Sequence, residues 1–208
     1  MTVDGKIILQ PQFDDMSVFG TGEDKYIHAE KGSQHGCYNT ETDTWEKVGN
    51  YEDLRCPNIY FHGAAKIGGL WYIYNKDGEL DQSRGFDFVG PESIYDDESK
   101  GYLSVSINGK NGIIDANGRV VIPVQYDRIE GFNPDEEVAL VRHKDNHDET
   151  VYTIVSKNRP FMGSIKGRAW VEEVGDDIYA FHNGYWITAG DMKDVIYYDL
   201  KLKRQIHP

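Results

Sequence analysis

The chain of 208 residues carries 35 acidic against 22 basic side chains, a formal charge of −13, which opposes non-specific binding to nucleic acid or anionic lipid and favours a basic partner. No stretch approaches the ~20 apolar residues of a membrane span, and the opening Met1-Thr2-Val3-Asp4-Gly5 has neither the basic nor the apolar run of a secretion signal, so a cytoplasmic protein without membrane contact is expected. The 14 Tyr, 8 Phe and 4 Trp, with 22 Gly and 7 Pro for turns, favour strands, and with no long helical spacing the expectation is one all-β domain over 1–208.

In chain order, the segment Asp4-Gly5-Lys6-Ile7-Ile8-Leu9 followed by Phe13-Asp14-Asp15-Met16 recurs without a gap, 113 positions on, as Asn117-Gly118-Arg119-Val120-Val121-Ile122 followed by Tyr126-Asp127-Arg128-Ile129. Gly36-Cys37-Tyr38-Asn39 and Tyr51-Glu52-Asp53-Leu54 lie over Gly112-Ile113-Ile114-Asp115 and Tyr126-Asp127-Arg128-Ile129 with one inserted residue. Asn75, Gly78, Phe86, Asp87 and Val89 match Asp115, Gly118, Tyr126, Asp127 and Ile129 at a shift of 40. More degenerate copies follow around 138–161 and 178–200, which makes about five repeats of roughly 40 residues. Cys37 and Cys56, the only two cysteines, are expected as reduced, half-buried fillers in a cytoplasmic chain of this size.

The clearest unit predicts a strand over 102–107, a turn at Asn108-Gly109-Lys110-Asn111-Gly112, a strand over 113–115, and a second turn at Asn117-Gly118 leading into a strand over 119–122. Asn-Gly pairs between β-branched residues signal hairpins, because both central residues tolerate positive φ. Such hairpins cannot bury a face alone and must stack on neighbouring copies. The chain opens on the second half of a repeat. Pairing of that half with the strand around Val195-Ile196-Tyr197-Tyr198 would close the array and hide its edges, which favours a small five-bladed β-propeller-like ring over an open β-hairpin solenoid or a barrel-like array.

The stretch Asn111-Gly112-Ile113-Ile114-Asp115-Ala116-Asn117-Gly118-Arg119-Val120-Val121-Ile122-Pro123-Val124-Gln125-Tyr126-Asp127-Arg128-Ile129 resembles the bacterial WG-repeat family, whose pattern runs Trp-Gly, two aliphatics, Asp, a Gly turn, Val-Ile-Pro and Tyr-Asp-x-Ile. Asn111 stands where that pattern has Trp. Tyr38-Asn39-Thr40-Glu41-Thr42-Asp43-Thr44-Trp45 is similar to a Kelch-type blade turn, although Gly68-Gly69 precedes the strand 70–74 instead of closing one. Both resemblances imply β-repeats used for contacts with other proteins, and neither brings a catalytic set.

Acidic clusters recur in register. Glu23-Asp24, Asp96-Asp97-Glu98, Asp135-Glu136-Glu137 and Asp176-Asp177 each precede a strand, with Phe61 at the corresponding place in the second repeat. A regular array would carry these loops on one rim, and that negative rim would steer a basic partner, with Tyr26, Phe61, Tyr95 and Tyr102 as aromatic anchors. The repeated pairs Phe13-Asp14, Phe86-Asp87 and Tyr126-Asp127 are architectural, an aromatic packed inward beside an Asp that caps a turn.

His143-Lys144-Asp145-Asn146-His147-Asp148-Glu149 is the best metal candidate, yet a hairpin loop does not present an i, i+4 pair on one helix face, and no metal site or cofactor is expected. Phosphate loop, nucleophile elbow and Cys-x-x-Cys are all missing, so a non-enzymatic module is expected. The expected role is binding of a basic protein, such as an immunity protein that occludes a toxin domain. The alternative is a lectin-like carbohydrate binder, against which Trp45, Trp71, Trp170 and Trp186 fall in no common register.

Overall fold

The computed structural model describes residues 12–17, 25–58, 61–90, 101–135, 137–144, 146–148 and 150–156, and, by backbone alone, 163–166, 170–175, 178–182, 196–199 and 204–206. It is all-β in these residues. Period-two alternation and the turn residues break the chain into short antiparallel strands, and neighbours in sequence pair as meanders.

The first sheet holds β1 (Asp15–Ser17), β2 (Tyr26–Lys31), β3 (Gln34–Asn39) and β4 (Thr44–Asn50), and the second β5 (Asp53–Arg55), β6 (Ala64–Ile67), β7 (Leu70–Tyr74) and β8 (Leu80–Phe86). The third holds β9 (Phe88–Gly90), β10 (Tyr102–Ile107), β11 (Lys110–Asp115) and β12 (Val120–Tyr126), and the fourth β13 (Arg128–Asn133), β14 (Val138–Lys144), β15 (Thr150–Ser156) and β16 (Gly163–Lys166). The last holds β17 (Trp170–Gly175), β18 (Ile178–His182), β19 (Ile196–Asp199) and β20 (Arg204–Ile206). Two compact units divide at Val89/Gly90, except that Ala116–Gly118 groups with the first. Segment 4–11, expected to seek a partner, lies outside the described residues. Tyr197 and Tyr198 already have a partner on each side, Ala180 and Tyr179 from β18 and Ile206 and Gln205 from β20. Tyr197 and Tyr198 are thus occupied on both sides within their own sheet.

The strand predicted over 102–107 is β10 with those bounds. Its hairpin turns on Asn108 (φ 51°) and Gly109 (φ 71°), the double positive φ expected of this pair. The predicted turn ran on to Gly112, but β11 begins at Lys110. Gly112 serves packing instead: a Cβ there would lie 2.7 Å from both the Ile122 carbonyl oxygen and the Val124 backbone. A register shift between Asn111 and Ile113 brings β12 down onto that glycine. Equivalent shifts fall at His35/Cys37 and Trp71/Ile73. Trp71 pairs with Phe86 as Asn111 pairs with Tyr126, so the tryptophan that Asn111 replaces stands one repeat earlier.

Among the described residues, the turn from third to fourth strand is capped three times by one device. Asn39 Oδ1 accepts the amides of Glu41 (3.0 Å) and Thr42 (3.2 Å), Asn75 Oδ1 those of Asp77 (2.9 Å) and Glu79 (3.0 Å), and Asp115 Oδ1 that of Arg119 (3.0 Å). These side chains satisfy turn donors that no strand reaches. The acids after the repeated aromatics also bind turns: Asp14 Oδ2 accepts the Gly32 amide at 2.6 Å, and Glu52 accepts that of Gly69 at 3.0 Å. Tyr126 and Phe86 are buried, as expected, while Phe13 is half-buried.

In the first unit Cys37, Leu54, Ala65 and Tyr74 pack together, and in the second Ile113, Val121, Ile122, Tyr126 and Ile129 pack with Ala139, Val141 and Val155. Each fully buried aliphatic contributes about 1.5–3 kcal/mol. The cysteines depart from expectation. Cys37 and Cys56 form a disulfide with Cα atoms 5.5 Å apart, because Cys37 lies within β3 and Cys56 directly follows β5, two strands that pack together in this core. Closing the 19-residue separation removes unfolded-chain entropy and stabilises by about 3 kcal/mol.

Gly112→Ala is expected to cost about 2 kcal/mol through overpacking against β12. Gly109→Ala, with open space around it, is expected to cost about 1 kcal/mol through its positive φ alone. Urea midpoints of the two variants check the order, and an equal or smaller loss at Gly112 contradicts the close-approach account.

Candidate functional site

The four acidic clusters all fall between the first and second strands of their sheets, in β1–β2, β9–β10, β13–β14 and β17–β18. Glu23, Asp24, Tyr95, Asp96, Asp97, Glu98, Glu136, Asp176 and Asp177 lie outside the described residues. Asp135, Glu137, Tyr26, Phe61 and Tyr102 lie inside them.

Asp135 is exposed. Glu137, immediately before β14, takes φ 48°, a left-handed conformation that costs a non-glycine residue about 1 kcal/mol. Two partners offset that cost. The Tyr102 hydroxyl donates to Glu137 Oε1 at 3.2 Å, and Arg119 Nη2 stands 3.6 Å from the same oxygen. Arg119 is held in turn by Asp115 at 2.7 Å, so this part of the acidic loop is joined to a basic side chain from the β11–β12 turn.

Tyr26 begins β2 as Tyr102 begins β10, and its hydroxyl is likewise tied to a carboxylate. It donates to Glu46 Oε2 at 3.1 Å, while Asn39 Nδ2 donates to Glu46 Oε1 at 3.1 Å. Both tyrosines are half-buried, and Tyr102 packs edge-on against Phe132 with ring centroids 5.1 Å apart. Phe61 is 7% exposed, which leaves its ring in the interior, away from a surface where a partner could be anchored. The structure thus brings Tyr102 together with Glu137 and separates Phe61 from the solvent-facing set.

His143, expected in a hairpin loop, lies within β14 opposite Val151 and is engaged within its own hairpin, with Nε2 2.9 Å from Thr153 Oγ1 and Nδ1 3.1 Å from the Lys144 carbonyl oxygen. Sequence reasoning missed a different polar cluster, on the first sheet. His28 pairs with Cys37, Glu30 with His35, Ser17 with His28 and Asp15 with Glu30, and cross-strand partners share a face. His28 Nε2 lies 3.2 Å from His35 Nδ1, with both rings buried and nearly parallel. Ser17 Oγ lies 3.3 Å from His28 Nδ1, and Glu30 Oε2 lies 3.7 Å from His35 Nδ1. Burial, then the neighbouring His35, pushes the His28 pKa down. A hairpin pivoting on Gly32-Ser33 is the signal that would have revealed the set, since alternation from that turn puts residues 28, 30, 35 and 37 on one face.

Burial, followed by the charge of Glu137, raises the Tyr102 pKa. A folded-state pKa above the unfolded value adds stability that is present below about pH 10 and lost as pH rises beyond it. Glu137→Gln is expected to move the ionisation of Tyr102 to lower pH. The check is the phenolate absorbance difference between Tyr102→Phe and its parent, with and without Glu137→Gln; an unmoved titration contradicts the contact.

The family model described as "WG containing repeat" matches residues 3–27 and 112–146. No curated protein matches the chain. Among solved structures, Hsv2 of Kluyveromyces lactis is 9% identical at a TM-score of 0.42, covering 96% of this chain and 66% of that one. A eukaryotic initiation factor is 11% identical at 0.46, covering 91% and 52%. The hydrazine synthase of Kuenenia stuttgartiensis is 8% identical at 0.34, covering 95% and 65%. The chain thus spans between about half and two thirds of the length of these structures, and likenesses this distant carry no argument about its role. The family match coincides with the stretches where the internal repeat is clearest: the chain carries WG containing repeats at 3–27 and 112–146.

Proposed function

We propose that this chain is a non-enzymatic binding module that docks a basic protein on an acidic rim, and that its five sheets close into a small propeller-like ring. One observation carries the reading: in four of the five sheets, the connection from first to second strand holds two or three adjacent acids. A ring of equivalent sheets would carry those connections at one end. The net charge of −13 supports electrostatic steering of a basic partner and disfavours nucleic acid. An immunity protein covering a basic toxin domain is one role that fits such a surface. The cytoplasm is the proposed location, and the Cys37–Cys56 bridge weighs against it, because disulfides persist mainly in oxidising compartments.

The carbohydrate-binding alternative draws on Trp45, 39% exposed, with the Phe13 and Tyr38 rings centred 5.1 and 5.3 Å away. Trp71, at 5% exposure, offers no second platform of that kind.

The test is capture of partners from the native cell at low and moderate salt, comparing wild type with Asp96→Asn, Asp97→Asn, Asp135→Asn and Glu136→Gln combined. Glu137 is left intact because Tyr102 and Arg119 depend on it. A basic partner whose association slows about tenfold or more in the folded variant, with the difference shrinking at higher salt, is the expected result. Equal binding by both proteins contradicts the acidic rim, and glycan-array binding that depends on Trp45 would favour the alternative.

A further inference from the structure

His28 of β2 and His35 of β3 are each 7% exposed, and they share the face of the first sheet on which Cys37 packs against Leu54 and Ala65 of the second. His28 Nε2 meets His35 Nδ1 at 3.2 Å. A contact of that length between two imidazole nitrogens is a hydrogen bond, in which one nitrogen donates and the other accepts. It therefore requires at least one neutral ring. With a proton on every nitrogen, two N–H groups would face each other and two positive charges would share a buried site.

The charged groups around the pair come from several strands. Asp15 of β1 lies across from Glu30 of β2, Glu46 of β4 lies across from Cys37, and Asp53 of β5, itself across from Lys66 of β6, adds its charge from the second sheet. Tyr26 and Tyr74 of the same core add no charge in acid. Glu30 Oε2, 3.7 Å from His35 Nδ1, balances one proton on the pair, whereas a second proton removes the only acceptor at the shared contact. Burial, and then the neighbouring His35, hold the His28 pKa below its ordinary value. Between that lowered value and the unfolded value of about 6.5, the unfolded chain binds more protons than the folded one. The stability contributed by the neutral ring is thus full above about pH 6.5 and is lost progressively as pH falls toward the folded value.

We propose that His28 and His35 form an acid-sensitive latch: the neutral pair holds β2 to β3 and the first sheet to the second, and protonation in mildly acid solution parts the rings and loosens that seam. The disulfide limits the opening. Cys37 is the cross-strand partner of His28, and its bond to Cys56, directly after β5, keeps the two sheets joined, so the loosening reverses when the acid is removed. Ser17 Oγ, 3.3 Å from His28 Nδ1, carries the change to β1. The latch does not draw on the acidic connections, and its outcome is separate from that of the partner capture.

The test uses the full, disulfide-bonded chain. Native-state hydrogen exchange is followed at about pH 7.5 and about pH 5, on either side of the ordinary histidine range, and corrected for the intrinsic pH dependence of exchange. The amides of β2 and β3 are expected to lose about tenfold or more protection relative to those of β10 and β11, and to regain it on return to the higher pH. The double variant His28→Gln, His35→Gln, whose side-chain amides can hydrogen-bond without titrating, is expected to remove that difference. A proton NMR titration of wild type reads the same step without any substitution: the His28 ring is expected to titrate below the ordinary value of about 6.5, and its midpoint to rise in His35→Gln. Equal loss of protection in the two hairpins of wild type overturns the latch. So does an undiminished difference in the double variant, or a His28 ring that titrates at or above the ordinary value; if the double variant does not fold, the two wild-type measurements decide.

Discussion

Three times among the described residues the side chain that ends a sheet's third strand, or directly follows it, folds back onto the amides of the turn that comes next. Asn39, Asn75 and Asp115 each do this, and much of each sheet depends on it. A capped turn fixes where the fourth strand starts, and in an antiparallel pair a slip of one residue would send every side chain to the opposite face. The register so fixed reaches the shift at Asn111/Ile113, where the fourth strand presses on Gly112 and places Ile122 and Tyr126 in the core.

Sheets built this way have little to offer alone, since each meander has two faces and few residues. Sheet-to-sheet packing inside each unit supplies the missing burial, through Cys37 with Leu54 and Ala65 in one and Ile113 with Ile129 and Val141 in the other. This repetition also explains why the aromatic–acid pairs look architectural. Asp14 and Glu52 spend their carboxylates on the hairpin amides of Gly32 and Gly69, which leaves them poorly placed for chemistry on a ligand. The proposed docking surface lies instead on positions that the repeat does not need, the first-to-second-strand connections.

Much of the strand pattern was legible in the sequence, because alternation and Asn-Gly chemistry act locally: β10 has the expected bounds and Asn108-Gly109 the expected backbone. What was not legible depended on contacts between strands. Gly112 resembles a turn glycine in sequence, and only the proximity of Val124 shows that it is a packing glycine. Cys37 and Cys56 resemble fillers until β3 and β5 pack together. Phe61 resembles an anchor by repeat position, yet its ring is buried. The candidate site divides in the same way. The recurrence of acids before the second strand of four of the five sheets was readable, whereas the tie between Glu137, Tyr102 and Arg119 joins residues from three separate strand ends. The His28–His35 pair escaped notice because their neighbourhood exists only once the hairpin between them has formed.

The most direct test of the capped-turn account is native-state hydrogen exchange along β12 in Asp115→Asn and Asp115→Ala. Asparagine does this work at residues 39 and 75, so Asp115→Asn should keep wild-type protection from Val120 to Ile122. Asp115→Ala should lose about 1 kcal/mol and exchange fastest at the strand's start. Wild-type protection in Asp115→Ala would show that strand pairing alone sets the register and would contradict the account.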